Sequence, residues 1–309
     1  MLTGNKLNIL QTELSQIINN HMAKLKIIIF NVEHGFCAFV KSPNNHALLI
    51  DCGAREKFSP IKYILENEIS GINTHNGHKL TQFILTHPHD DHLTDIERLR
   101  NDFSPAIMTR QKYEWDEIKQ GENQDEYENL DNYSDWQETY NQKVEVWPDW
   151  GMELETSLHL APNEAKKLDD KKFVNNSSIV AGIKYKGWKI IFPGDIEEAA
   201  WLKLFENQNF KNLIKDTSFF IASHHGHSSG YCKEIFENMG KPHFNIVSAH
   251  KRDESVDSAY SNSNNAKGVQ HNNQMRYMFS TRQDGSIFIE IDENGKATFD
   301  LVKLDDNIE

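Results

Sequence analysis

Short apolar runs alternate along this chain with segments in which apolar residues recur at helical spacing. Runs that predict β-strands lie at residues 26–30, 36–40, 47–50, 80–86, 106–109, 153–160, 178–185, 188–192, 218–222, 244–248, 286–291 and 297–301. Helical patterns or helix-start residues follow at 60–69, from Asp91, near Ile196 and over about 232–239. Strands and helices interleave, with hairpins near both ends. We therefore predict an α/β fold with two mixed sheets covered by helices on their outer faces.

Two segments fall outside this alternation. Within residues 1–22, the leucines and isoleucines between positions 7 and 18 share one helical face, which predicts an N-terminal helix that docks on the domain or on another subunit. Residues 111–150 are acidic and amide-rich, yet they carry many tyrosines and tryptophans, which a disordered linker seldom does. We predict that they form an inserted helical segment, a lid or an oligomer contact, within a domain that spans residues 23–309. A surface excursion without a role is the alternative.

The composition and the charge narrow the class of protein. The chain has 309 residues and a formal net charge of −13. No apolar stretch approaches the roughly 20 residues of a membrane span, the N-terminus lacks a secretory pattern, and Cys37, Cys52 and Cys232 form no disulfide framework. We expect a cytoplasmic protein without a membrane partner. The negative charge argues against non-specific binding of duplex DNA but leaves small or single-stranded phosphodiesters open as substrates.

The sequence His-Pro-His-Asp-Asp-His at residues 87–92 directly follows an apolar run that ends at Thr86. His87 and His89 can converge on one ion from a strand end, and Asp91 and His92 can serve a second ion from the following turn. Imidazole and carboxylate together suit zinc, and also manganese or iron. The alternative is a polar strand-to-helix turn in which an aspartate caps the next helix.

Metal-type ligands follow two further predicted strands in the same way. Asp195 ends a Pro-Gly-Asp turn after residues 188–192, and His224-His225 follow residues 218–222. Two ions a few ångströms apart need a bridging carboxylate, and Asp195 is the natural one. A late histidine, His224 or His225, would complete the second site.

These motifs resemble those of the metallo-β-lactamase superfamily: Leu-Leu-Ile-Asp-Cys-Gly containing Asp51, the cluster at 87–92, Phe-Pro-Gly-Asp ending at Asp195, and Ser-His-His-Gly at 223–226. Within it, the chain is most similar to the branch that contains the hydrolase-like domain of the competence protein ComEC and the phosphorylcholine esterases. Asn-Val-Glu-His-Gly-Phe at 31–36, Asn-Asn-Ser-Ser at 175–178 and Thr-Arg-Gln-Asp-Gly-Ser-Ile at 281–287 carry that likeness. The resemblance covers roughly residues 25–302 and implies an αββα four-layer sandwich with the 111–150 segment inserted.

The resemblance also implies a ligand set for two divalent ions, zinc or manganese. His87 and His89 would bind the first ion, Asp91 and His92 the second, Asp195 would bridge them, and His224 or His225 would complete the second site. The superfamily's third-motif histidine has no clear counterpart, because Asn175 and Asn176 stand in its place.

Four further residues are expected around these ligands. Asp51 would accept a hydrogen bond from a ligand histidine and fix its tautomer, or it only forms the turn before Gly53. His34 stands where the branch favours glutamine, and it lines the substrate pocket or packs. Asn176 and His227 are expected beside the ligands or the substrate.

The resemblance implies a binuclear metal-dependent hydrolase, a phosphodiesterase or nuclease that acts through a hydroxide bridging the metals. Asp91 would orient that hydroxide, and His225 or His227 would protonate the leaving group. Two alternatives stay open, because a fold does not fix a substrate. One is a hydrolase of a carbon ester, thioester or lactone, and the other is a binding or effector module with a vestigial metal site. Homo-oligomerisation through residues 1–22 or 111–150 is a further possibility.

Overall fold

Two β-sheets stack face to face, and helices cover the outer face of each. A computed structural model describes residues 23–119, 127–249 and 256–304, so the predicted helix at 1–22 lies outside the described residues. The strands are β1 Leu25–Ile29, β2 Ala38–Lys41, β3 Ala47–Ile50, β4 Leu80–Ile84, β5 Pro105–Thr109, β6 Glu153–Glu155, β7 Ala181–Tyr185, β8 Trp188–Phe192, β9 Phe219–Ile221, β10 Phe244–Val247, β11 Val269–His271, β12 Gln274–Arg276, β13 Met278–Ser280, β14 Ser286–Ile291 and β15 Ala297–Val302.

Helices interleave with the strands, and in the part of the chain that the structure describes, two helices follow each other three times without a strand between them. They are α1 Pro60–Asn67, α2 Ile96–Asp102, α3 Trp115–Lys119, α4 Tyr127–Gln137, α5 Pro162–Leu168, α6 Phe173–Asn176, α7 Glu198–Leu204, α8 Gln208–Ile214, α9 Lys233–Met239 and α10 Thr281–Asp284. Short 3₁₀ turns lie at Asp90–His92, His224–Gly226, Ser228–Gly230 and Ser258–Ser261. No helix among the described residues is long and apolar enough to cross a membrane.

Both large sheets mix antiparallel and parallel pairing. The first has the order β15-β14-β1-β2-β3-β4-β5, and its parallel pairs are β3 with β4 and β4 with β5. The second has the order β13-β10-β9-β8-β7-β6, in which β8, β9, β10 and β13 run parallel. β11 and β12 form a separate hairpin.

The alternation of side chains along each strand separates three apolar layers. In β1, Ile27 and Ile29 face the second sheet, and Ile28 faces the helices. The layer under the first sheet also receives α1, α2 and α4, and the layer over the second sheet receives α7, α8 and α9. The arrangement is a four-layer αββα sandwich, which confirms the predicted fold class.

The inserted segment packs on the helical layer of the first sheet. α3 and α4 lie within it, and Tyr133 and Trp136 are buried in the layer beneath the first sheet. The Arg110 guanidinium donates to the Gln137 and Tyr140 carbonyls, which ties the end of α4 to the strand before it. Part of the predicted insertion is therefore core structure.

The Asp95 carboxylate joins α1 to the turn that follows the histidine cluster. Its Oδ2 accepts hydrogen bonds from Ser59 Oγ at 2.5 Å and from the Ile61 amide at 3.2 Å, both at the start of α1. Burial raises the pKa of Asp95 to about 6, against the opposing effect of these hydrogen bonds.

We expect Asp95 to make stability depend on pH. Because its pKa is higher in the folded than in the unfolded chain, its contribution is complete below pH about 4 and is lost as pH rises through about 6. Relative to the wild type, Asp95→Asn should gain about 2 kcal/mol of unfolding free energy between pH 4 and pH 8, measured by urea denaturation. An equal gain in the exposed control Asp300→Asn, on β15, would contradict the assignment to Asp95.

Candidate metal centre

Four loops deliver polar side chains to one edge of the sandwich. Asp51 follows β3, residues 87–92 follow β4, Asp195 follows β8, and His224-His225 follow β9. β3 and β4 are parallel neighbours, and so are β8 and β9. The carboxyl ends of the two parallel pairs meet where the sheets face each other, so residues far apart in sequence become neighbours.

Asp91, His92, Asp195 and His225 form one compact group of donor atoms. Asp91 Oδ2 lies 3.0 Å from His225 Nε2 and 3.8 Å from His92 Nε2. The two Nε2 atoms are 3.3 Å apart. Asp195 places Oδ1 3.6 Å from His92 Nε2 and Oδ2 3.2 Å from His225 Nε2.

These spacings fit a four-coordinate divalent ion. Donor atoms around a tetrahedral zinc ion, with bonds of about 2.0–2.1 Å, are about 3.3–3.4 Å from one another. Asp91 Oδ2, His92 Nε2 and His225 Nε2 are 3.0, 3.3 and 3.8 Å from one another, which scatters around that value. Asp195 adds one oxygen near each of the two imidazoles. Two imidazoles and two carboxylates are also a donor set that zinc and manganese accept.

A second group of donors lies on the other side of Asp195. His87 Nε2 is 3.0 Å from His89 Nδ1 and 3.9 Å from Asp195 Oδ2. Burial lowers the pKa of both histidines, which favours the neutral form that binds metal. His87, Asp195 and His92 together form a possible metal-binding trio, to which His89 could add a donor beside His87.

The structure separates the roles of His224 and His225. The His225 side chain is buried in the first group, whereas His224 lies at its edge, with Nε2 3.9 Å from Asp195 Oδ2. His224 Nδ1 instead pairs with Ser229 Oγ at 2.9 Å. His224, His225 and Gly226 all have positive φ, of 50°, 52° and 80°. This conformation is uncommon for residues other than glycine.

Asp51 lies behind His92. This fully buried carboxylate accepts hydrogen bonds from the Thr86 amide at 2.6 Å, from Thr86 Oγ1 at 2.7 Å and from His92 Nδ1 at 2.7 Å. The hydrogen bond at Nδ1 leaves His92 Nε2 to face Asp91, Asp195 and His225. Burial raises the pKa of Asp51, and His92 and these hydrogen bonds oppose that effect.

Carboxylates and imidazoles neutralise one another in the group. Burial alone would lower the pKa of His225, but Asp195 and Asp91 outweigh it and raise that pKa to about 10. Burial alone would likewise raise the pKa of Asp195, yet His225, His92 and His87 hold it well below its usual range. The carboxylates likewise raise the pKa of His92, so both imidazoles favour the protonated form that compensates the carboxylates.

Metal binding should expel the proton on His225. Because the pKa of His225 is about 10, its ring is protonated at neutral pH, and an ion binding at Nε2 must displace the proton. We expect release of at least one proton per chain at pH 7 and an apparent affinity that rises with pH. Calorimetric titration with Zn²⁺ in buffers of different ionisation enthalpy measures this release. Zero release together with a pH-independent affinity would contradict the protonation described here.

Two glycines press on the backbone of Asp91. A Cβ built on Gly35 would lie 2.0 Å from the Asp91 carbonyl oxygen, and one on Gly53 would lie 2.4 Å from it. The Gly53 amide donates to the Phe36 carbonyl, and the Cys52 amide donates to the His92 carbonyl. The loops after β1 and β3 thus fix the position of the Asp91-His92 turn.

We expect Gly53→Ala to weaken metal binding at least about tenfold, because the new methyl group must displace the Asp91 backbone, and outer-layer changes of this kind typically cost 10- to 100-fold. Gly77→Ala is the control, since a Cβ there meets no atom within 4 Å. Zinc affinity by competition with a chromogenic chelator measures both. Equal affinities for Gly53→Ala and the wild type would show that this contact does not position the ligands.

The remaining predicted residues lie around the two groups of donors. His34 Nε2 lies 3.5 Å from Asp91 Oδ2, its side chain is 63% exposed, and it forms a possible metal-binding trio with Asp91 and His225. Asn176 Oδ1 accepts from the Glu197 amide at 3.0 Å, so it braces the loop after Asp195. His227 Nδ1 pairs with Ser229, and its ring lies against His224.

Sequence reasoning missed several supporting contacts. Thr86 Oγ1 donates a hydrogen bond to Asp51, and Ser229 Oγ lies within hydrogen-bond distance of His224 Nδ1. Ser178 Oγ accepts a hydrogen bond from the Asp195 amide at 3.1 Å. Each is a common residue type beside a predicted ligand, and nothing in the local pattern marks its contact. Asn175 and Asn176 stand where the resemblance would lead one to expect the third-motif histidine. His159 Nδ1 lies 2.9 Å from the Thr156 carbonyl oxygen.

Comparison with known proteins gives structural likeness alone. No protein-family model matches the chain, and no curated protein sequence matches it. A protein named as a metal-dependent hydrolase from Parabacteroides distasonis ATCC 8503 is 12% identical, with 84% of this chain and 94% of that chain covered and a TM-score of 0.40. A metallo-β-lactamase variant from Cronobacter sakazakii is 14% identical, with 62% and 74% covered and a TM-score of 0.34.

A third solved structure, Zn²⁺-bound PqqB from Methylobacterium extorquens, is 12% identical, with 63% of this chain and 71% of that chain covered and a TM-score of 0.33. The fold assignment above rests on the strand order and the layers of this chain itself.

Proposed function

We propose that this protein is a binuclear metal-dependent hydrolase that cleaves phosphodiesters. The observation that carries the proposal is the spacing of Asp91, His92, Asp195 and His225, whose donor atoms surround one position at distances suited to a divalent ion. His87 and His89 supply a second position beside Asp195. A polar turn needs no such convergence of three separate loops, so the arrangement supports a metal centre over a capping motif.

A pair of divalent ions, zinc or manganese, would make an attacking water more acidic and polarise the bond to be cleaved. His87, His89 and Asp195 would hold one ion, and Asp91, His92, Asp195 and His225 the other. Asp195 would bridge them because its carboxylate lies near His87 Nε2, at 3.9 Å, as well as near His225 Nε2, at 3.2 Å.

The chain's own residues prepare this site in three ways. Asp51 fixes the tautomer of His92, so that Nε2 carries a lone pair toward the ion. Ser178 and Asn176 anchor the Asp195-to-Glu197 backbone and thereby the bridging carboxylate. His34, on the exposed side of Asp91, is placed to contact the substrate as it approaches.

Sequence motifs support the choice of a phosphodiester over a carbon ester. The segments at 31–36, 175–178 and 281–287 resemble a branch that includes phosphodiester hydrolases. Within the structure, residues 175–178 contribute Asn175, Asn176 and Ser178 beside the metal centre, so the resembling segment lies at the site.

A substrate panel tests the proposal. We expect the manganese- or zinc-loaded protein to hydrolyse bis-p-nitrophenyl phosphate and single-stranded oligonucleotides faster than a p-nitrophenyl carboxylic ester or a lactone. Preference for the ester or the lactone would replace the phosphodiester with a carbon ester. A chain that binds no metal and cleaves nothing would support the binding-module alternative.

Substitutions should distinguish Asp91, a proposed metal ligand, from Asp51, which orients a proposed ligand. Asp51→Asn should lower kcat/KM about 10- to 100-fold, the usual cost of disturbing a group that orients a metal ligand. Asp91→Asn should lower it further, because it removes a proposed ligand. The exposed Asp149→Asn serves as the control and should retain wild-type turnover. Full turnover by Asp91→Asn would exclude the proposed site.

A further inference from the structure

A cavity of about 530 Å³ opens directly beside the metal centre. It shares His89 and Asn175 with the site and extends away from it between α3 and the segment that joins α5 to α6. The other residues that line it and bear on its chemistry are Glu117, Ile118, Lys166, Lys171, Lys172 and Phe173. A substrate bound at the ions therefore has adjacent space to occupy.

Three lysines line this cavity in a protein whose net charge is −13. Two carboxylates, Glu117 and Asp170, line it with them. Lys166 Nζ pairs with Glu117 at 2.9 Å, which links α5 to α3 across the cavity, and Lys172 pairs with Glu197. Among the residues that the structure describes, no ion pair engages the exposed Lys171. Its ammonium group is available to a bound anion.

The inner end of the cavity offers an unpaired acceptor. Asn175 is 9% exposed, and its Nδ2 points to Glu197 Oε1 at 3.5 Å, while its Oδ1 is buried without a hydrogen-bond partner. Turning the amide over would set two oxygens against each other at Glu197, so the orientation is fixed. An unpaired buried carbonyl oxygen is unfavourable, and a hydrogen-bond donor of a ligand at this end of the cavity would satisfy it.

Apolar surface completes the cavity. Phe173 is partly buried, with its ring beside Tyr113 and under Lys166, and Ile118 contributes from α3. Aromatic side chains beside cationic ones are the common features of sites that take single-stranded nucleic acids, where bases stack and phosphates meet lysines. A ligand with an anionic group, a hydrogen-bond donor and a planar apolar part could contact Lys171, Asn175 Oδ1 and the Phe173 ring respectively.

We propose that this cavity binds the nucleoside and the second phosphate that adjoin the scissile linkage, which makes single-stranded oligonucleotides the substrate class. The inference rests on the proposed phosphodiesterase function and deepens it. It also gives the inserted segment a role, because Glu117 and Ile118 on α3 form one wall.

The test compares trithymidylate, which carries a second phosphate, with bis-p-nitrophenyl phosphate, which does not. In the manganese-loaded full chain, Lys171→Gln should lower the ratio of kcat/KM for trithymidylate to that for bis-p-nitrophenyl phosphate about tenfold, through KM, as expected for one charge-assisted contact. Lys171→Arg should restore most of the ratio. Lys167→Gln, on α5 but not in the cavity wall, is the matched control and should leave it unchanged.

Binding of trithymidylate to the metal-free chain, measured by calorimetry, separates this inference from the proposed function. Binding that depends on Lys171 without any phosphodiester hydrolysis would overturn the function and keep the binding site. Hydrolysis with an unaltered ratio in Lys171→Gln, or an equal fall in Lys167→Gln, would overturn the binding site alone. No binding by the wild type also overturns it. Running triuridylate in parallel distinguishes a DNA from an RNA substrate.

Discussion

Two carboxylates that face the same buried imidazole impose the main constraint on this structure. Asp91 and Asp195 approach His225 Nε2 to 3.0 and 3.2 Å, and Asp195 is only 4% exposed. Negative charges this close in a poorly hydrated place are stable only beside compensating positive charge. A proton on His225 and the neighbouring His92 can supply that charge, and so can a divalent ion. The same arrangement that is costly without a cation is therefore a candidate binding site for one.

The topology of the two sheets and the packing of their loops bring this group of side chains together. Each ligand loop leaves the carboxyl end of a strand with a parallel neighbour, and the two sheets bring those ends together. Close contacts then fix the positions of the loops. Gly35 and Gly53 leave no room for a Cβ against Asp91, and Asp51 accepts hydrogen bonds from both Thr86 and His92. Small displacements in these supports change donor spacing, which is why we expect substitutions outside the ligand set to affect metal binding.

Local pattern was enough to predict much of this arrangement. The 87–92 cluster lies within six residues, and apolar runs mark the strands before it and before Asp195. The layered fold and the position of candidate ligands at strand ends therefore follow from sequence. The choice of His225 over His224 does not, because it depends on a left-handed turn for which these residue types give no sign. The contacts of Thr86 and Ser178 also depend on packing between distant segments, and so does the position of the lysines beside Asn175. The same holds for the insertion, whose aromatic residues were visible but whose contact with the first sheet was not.

Direct metal analysis tests the central claim, that Asp91, His92, Asp195 and His225 hold one divalent ion and share Asp195 with a second. Zinc or manganese bound per chain can be measured by elemental analysis after equilibration and removal of free metal, for the wild type and for Asp195→Asn. The account predicts two ions per wild-type chain and loss of at least one in Asp195→Asn. Less than one ion in the wild type, or an unchanged content in Asp195→Asn, would contradict it.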